Sequence, residues 1–150
     1  MQDIRRGLAA NLRTIEDCTV SPWLQENPVR DALSVAGPEK MEYAEGAFGS
    51  LASDRGGPLT IIVEGVTSLA GGLRAAQDRF DNWILWEVPE AIESDVRLTS
   101  RLNDDGSTTS GQAAACDALA VREFRGYRRE RLGNGTDEFL VGDWVIDVLL

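Results

Sequence analysis

The sequence predicts an α+β fold: a mostly antiparallel sheet with helices on one face, in the order α-β-β-α-α-β-β, ending in a long β-hairpin. Three observations lead there. "PLTIIVEGV", from Pro58, is dense in β-branched residues. Leu69, Leu73, Ala76, Phe80 and Ile84 recur at three- or four-residue steps. Two strand-like runs, "ACDALAVREFRGY" and "DEFLVGDWVIDVLL", close the chain around the turn-forming "LGNGT". At 150 residues the chain has the length of one domain, residues 1–150.

The elements follow in order. Ile4, Leu8, Leu12 and Ile15 stand at helical spacing, which predicts a helix over Asp3–Asp17 with Asp3 as N-cap or first-turn acid. Gly7 should weaken it by about 1 kcal/mol relative to alanine. Pro22, Pro28 and Pro38 interrupt the next stretch, leaving "VRDALSVAG" as a short strand. Residues 37–57 are rich in glycine, serine and charge and predict a long loop, with some extended structure near Met41–Tyr43. After the Pro58 strand, Ser68 is placed to cap a helix with Gly71 and Gly72 in its first turn. Pro89 then suits the N1 position of a further short helix, "PEAIESDVRL", with Ile92 and Val96 on one face. "TSRLNDDGSTTSGQ", residues 99–112, reads as a loop.

Composition narrows the function classes. With 25 Asp and Glu against 15 Lys and Arg, the net charge is −10, which disfavours nucleic acid and anionic membranes as general partners. No apolar run is long enough to span a bilayer. The charged, amphipathic opening lacks a secretory leader core, so a chain made in the cytoplasm is expected. Cys18 and Cys116 form no CxxC and read as reduced, buried thiols. Lys40 is the only lysine beside 14 arginines, a bias expected from GC-rich coding. Histidine is absent, which removes the commonest general base and metal ligand. "NDDGST" lacks the alternating acids of a calcium loop, and no phosphate loop or nucleophile elbow occurs. No catalytic, cofactor-binding or metal residue is assigned, and no enzyme is expected.

One local feature stands against the acidic background. Arg125, Arg128, Arg129 and Arg131 fall within seven residues at the end of the first hairpin strand. Alternation would put Arg125, Tyr127, Arg129 and Arg131 on one face, with Arg128 and Glu130 on the other. Two readings stand side by side, a solvated hairpin tip whose charges prevent edge-to-edge pairing or a surface that docks a protein's carboxylates, with nucleic acid a minor third that the net charge disfavours. The last strand is apolar on both faces, with Leu140, Trp144, Ile146, Val148 and Leu150 on one and Phe139, Val141 and Val145 on the other. Such a strand is buried on both sides, by its own domain or by a neighbouring copy. Arg125, Arg128, Arg129, Arg131 and Trp144 are therefore the candidates for a protein interface.

The run "IRRGLAANLRTI", Ile4 to Ile15, resembles the opening of tail terminator proteins from long-tailed bacteriophages of GC-rich hosts. The similarity resumes in "GLRAAQDRFDNWI", Gly72 to Ile84, then in "AIESD", and returns in "VGDWVIDV". It follows most of the chain in element order, although the quoted runs are the lesser part of it. Residues 36–57 are longer and more charged than that pattern leads one to expect.

The resemblance implies an α+β subunit that forms a homo-oligomeric ring, a hexamer, on the last ring of the major tail tube protein. There it would stop tube growth and offer a docking surface to the head-side connector or stopper protein. Such a chain would be found in the host cytoplasm during assembly and at the tail–neck junction of the virion. Genomic DNA would pass through the lumen without specific binding, and an acidic lumen would repel its phosphates. A second possibility is another neck component, a head completion or stopper protein. A third is an acidic protein-binding inhibitor, which the two-sided apolar final strand disfavours.

Overall fold

The computed structural model describes residues 1–25, 28, 30–41, 58–132 and 137–150. In chain order the elements are α1 (Gln2–Leu12), β1 (Thr19–Ser21), β2 (Ala32–Met41), β3 (Pro58–Ser68), α2 (Leu73–Asn82), α3 (Val88–Ile92), β4 (Arg101–Leu102), β5 (Thr108–Thr109), β6 (Ala118–Arg131) and β7 (Glu138–Leu149). Five strands make one sheet in the order β1-β2-β3-β7-β6, and β4 pairs with β5 apart from it. Among the described residues only β1 and β2 run parallel, and every other neighbouring pair is antiparallel. The fold is α+β with a C-terminal β6–β7 hairpin, as the sequence predicts.

The helices cover one face of the sheet. Leu8 and Leu12 of α1 pack there with Leu33 and Val35 of β2 and with Ile61 and Val63 of β3. On the far side of the sheet a smaller cluster joins Ala32, Val66, Phe139 and Val141. Both faces of β7 are buried within a single chain: Leu140, Trp144, Ile146 and Val148 towards the helices, Phe139, Val141 and Val145 on the other side. No neighbouring copy is needed to explain its two-sided apolar pattern.

Several boundaries differ from expectation, each for a local reason. α1 ends at Leu12, five residues before Asp17. The Thr14 hydroxyl donates to the Asn11 carbonyl at 2.8 Å, the acceptor that Ile15 would use in a continuing helix, and Ile15 N–H bonds instead to Leu12. Ile15 is buried all the same. β2 is longer than "VRDALSVAG" and runs through Gly37 and Pro38 to Met41, because register shifts on either side place both residues at bulges. Residues 37–41 of the expected loop are thus strand; its remainder, 42–57, and residues 133–136 of the hairpin turn lie outside the described residues. The segment 99–112 is likewise not loop throughout, since β4 and β5 pair within it.

The helical region between β3 and β4 departs most. Ser68 caps a single 3₁₀ turn, Leu69–Gly71, by accepting from the Ala70 N–H. Gly72, at φ +100°, then turns the chain into α2, so the two glycines precede that helix rather than open it. Between α2 and α3 lies a π turn, Trp83–Glu87. Pro89 accounts for it: proline supplies no N–H to the Leu85 carbonyl and its ring would crowd that oxygen, and the wider turn relieves both. α3 stops at Ile92, leaving Val96 exposed rather than beside it.

α1 is fastened to this region by its one buried polar side chain. Asn11 Nδ2 donates to the Ile92 and Asp95 carbonyls at 2.9 and 3.0 Å. Burial pushes the Asp95 carboxyl up, but hydrogen bonds from the Thr99 N–H and hydroxyl and from the Arg97 and Leu98 amides outweigh it and hold the group below its usual range. Leu98, at φ +53°, is buried against α1. A Cβ on Gly7 would lie 2.8 Å from Leu98 Cβ. Gly7→Ala is therefore expected to lower stability in a urea melt, because overpacking at about 1–3 kcal/mol exceeds the helix-propensity gain of about 1 kcal/mol. A variant more stable than the parent would show that α1 and Leu98 are not so tightly packed.

Candidate protein interface

β6 forms one edge of the sheet, and two bulges shape it. Its pairing with β7 slips between Val121 and Glu123 and again between Phe124 and Tyr127. The second slip contains Gly126 at φ +89°, a conformation that glycine adopts without strain. Phe124 and Tyr127 consequently both face the helices, within 6.0 and 5.4 Å of the Phe80 ring. Strict alternation fails here: the bulge separates Arg125 from Tyr127 and leaves it paired with Glu39 of β2 and Glu123. Beyond the bulge alternation resumes. Arg129 and Arg131 share the Tyr127 face, and Arg128 and Glu130 take the other.

All four candidate arginines find carboxylates in their own chain. Arg129 Nη2 meets Glu138 Oε2 at 2.7 Å, and Arg131 reaches the other oxygen of Glu138 at 3.7 Å. Arg128 pairs closely with Glu130 and more distantly, at 3.9 Å, with Asp143. Arg129 holds the Glu138 carboxyl below its ordinary range, with Arg131 helping. Glu130, followed by Asp143 and Glu64, raises the Arg128 guanidinium. Pairs this exposed are screened by salt and add little to stability, so their effect is to set where the side chains point.

Trp144, the fifth candidate, has no part in an exposed surface. It is 1% exposed, and its ring lies 4.8 Å from Phe124 and 5.9 Å from Phe80, in the core between sheet and helices. Its place follows from β7 being buried on both sides by the chain itself.

The helical layer carries features that the sequence did not single out. Trp83 and Trp86, three residues apart, would share one side of an ordinary helix. The π turn separates them: Trp83 is buried, whereas Leu85 and Trp86 are 63% and 61% exposed. A groove of about 590 Å³ lies between residues 14–17, which follow α1, and the α2–α3 segment, where Glu87, next to Trp86 in sequence, is part of its lining. Thr14, Glu16, Asp17, Glu87, Glu90 and Ser94 line it with Arg79. Arg79 donates to the Glu16 carbonyl at 2.8 Å, lies 3.7 Å from Glu87 and 3.6 Å from Asp31, and covers the Trp83 ring.

Neither thiol is poised for chemistry. Cys116 is buried and Cys18 half-buried, both are free, and burial is the main cause pushing each above the ordinary thiol range. Among the described residues no group of three or more Cys, Asp and Glu side chains is placed to hold a metal ion. No described helix is long and apolar enough to cross a membrane. A scan against protein-family models returns no match for the chain, and neither does a search of curated proteins.

On the sheet face away from the helices, Glu64 and Asp143 are direct register partners. Two carboxylates opposite one another repel. Burial pushes the Glu64 carboxyl above its ordinary range, Asp143 and Glu130 add to the rise, and Arg128 opposes it. An acid whose folded-state value is raised makes the native state the better proton binder, so this site gains stability as pH falls from neutral towards the unfolded value of about 4.3. Glu64→Gln should therefore be more stable than the parent at pH 7, with the difference shrinking by about pH 5. Urea midpoints at the two pH values measure this; a difference independent of pH would contradict it. Glu138 and Asp95, both held low, lose their contributions as pH falls, but equally in both proteins.

Proposed function

We propose that this chain is a structural subunit of a bacteriophage neck, a tail terminator that forms a ring on the head-proximal end of the tail tube. It stops tube polymerisation there and presents a docking surface to the head-side connector. The observation that carries the proposal is the presence of two dissimilar surfaces on one α+β subunit. One is the hairpin tip, with Tyr127, Arg129 and Arg131 on a common face. The other is the helical layer, where Leu85 and Trp86 stand exposed and Glu87 and Glu90 of the same helical segment line a groove. A cyclic ring is closed by heterologous contacts, and these require two different patches on every subunit. The motif resemblance over Ile4–Ile15 and Gly72–Ile84 falls on α1 with the residues just after it and on α2 with the start of the π turn, and Thr14, Ile15 and Arg79 of those runs line the groove.

The in-chain ion pairs refine the part assigned to the arginines. Arg125 and Arg128 are engaged with their own chain's acids. Arg129 and Arg131 share the one carboxylate of Glu138, which leaves a positive charge in excess on that face. The net charge of −10 fits a lumen that DNA traverses without sticking.

Tail length in particles made while this gene alone is silenced tests the proposal, read by electron microscopy. Overlong tails of variable length are expected. Tails of normal length that fail to join heads would instead make the protein a head-side connector. Intact, infectious particles would overturn the structural role altogether.

A further inference from the structure

Resting on the ring reading above, we infer that the helical groove and the Leu85–Trp86 pair of one subunit form the receptor for the hairpin tip of a second copy, with Arg129 and Arg131 directed at Glu16 and Glu90. Two separate observations meet at this surface. The first is electrostatic: the groove carries the carboxylates of Glu16, Asp17, Glu87 and Glu90 against the single guanidinium of Arg79. Arg79 is already engaged with Glu87 and the Glu16 carbonyl, so the exposed acids Glu16 and Glu90 remain to meet a partner's cation. The second is apolar: Trp86 lies one turn before Glu90 on the same helical segment and is turned outward by the π turn. Tryptophan, tyrosine and arginine are the residue types that carry most interface binding energy, and arginine is the one that would also meet the acids.

The hairpin tip supplies those residue types. Tyr127 is 37% exposed on the same face as Arg129 and Arg131. Arg131, whose side chain is 69% exposed, is the freer hand, because its contact with Glu138 is the looser one. A guanidinium placed over the Trp86 ring would add a cation–π contact to the ion pair. The tip belongs to the sheet and its receptor to the helical layer, so the contact is heterologous and leaves a tip and a groove free at opposite ends of any open chain of subunits. Closure into a ring then uses every patch once.

The test is a charge swap read by light scattering and native mass spectrometry of the purified chain. Arg129→Glu with Arg131→Glu in one variant, and Glu16→Arg with Glu90→Arg in another, should each dissociate the oligomer. Combining all four substitutions should restore it. Trp86→Ala should weaken it at least tenfold in subunit concentration. All five positions are exposed, and far- and near-ultraviolet circular dichroism spectra like the parent's establish that each variant is folded. A wild-type oligomer indifferent to both reversals, or a combined variant that stays dissociated, overturns this pairing and leaves the ring reading in place. A wild-type chain that remains monomeric at every concentration overturns the ring reading and the pairing with it.

Discussion

Much of the packing between helices and sheet converges on the ring of Phe80. Trp83 meets it edge-on at 5.2 Å, Trp144 stacks at 5.9 Å, and Tyr127 and Phe124 close round it at 5.4 and 6.0 Å. Large rings can gather here because the sheet beneath them lacks side chains. Gly65 and Gly142 face each other across β3 and β7. A Cβ on Gly65 would lie 2.6 Å from the Trp144 ring, and one on Gly142 would lie 2.6 Å from Phe124. Energetically, each buried aromatic contributes a few kcal/mol from lost apolar surface, and each favourable ring pair adds about 0.5–1.5 kcal/mol. Against this, the indole N–H groups of Trp83 and Trp144 are buried with no hydrogen-bond partner among the described residues, at about 1–3 kcal/mol each. Burial and ring contacts together exceed that cost, and the cluster holds.

The same cluster ties the terminal hairpin to the helical layer. Phe124 and Tyr127 can both reach Phe80 only because the Gly126 bulge inserts one extra residue between them. That insertion also sets which arginines share a face. Hence the core dictates the surface: the alternation that places Tyr127, Arg129 and Arg131 together is counted from the bulge, and the bulge is fixed by ring packing. The π turn works in the same way on the other layer. It aims Trp83 at Phe80 and turns Leu85 and Trp86 outward.

Elements built on an uninterrupted period were legible in the sequence. The β-branched run at Pro58 gives β3, the three- and four-residue steps give the buried Ala76 and Phe80 of α2, and the glycine-rich turn gives the β6–β7 pairing. Features that depend on a single competing contact were not legible. The end of α1 turns on one hydroxyl of Thr14, and β1, β4 and β5 are too short to show a period. Pro89 carries the start signal of a helix but here marks the exit from a π turn. Gly126 within a strand is a recognised sign of a bulge, and such a bulge takes Arg125 off the Tyr127 face. The two-sided apolar pattern of β7 points to Trp144 as an interface residue, and pattern alone does not separate a strand buried by its own domain from one buried by a neighbour. The carboxylate partners of the arginines lie on the same strand, on β7 and as far away as Glu39, which no local spacing predicts.

Hydrogen exchange on the backbone amides of β6 and β7 tests most directly whether the aromatic cluster makes the hairpin a rigid, preformed arm. With Phe124 and Tyr127 locked onto Phe80, the inward-bonded β6 amides on both sides of the Gly126 bulge should be protected about as strongly as those of β3. Replacing Phe80 with leucine should then loosen β6 before it loosens β3. Exchange beyond Gly126 at the rate of a fraying terminus, with β3 still protected, would show that the arginine-bearing tip is not held by the core.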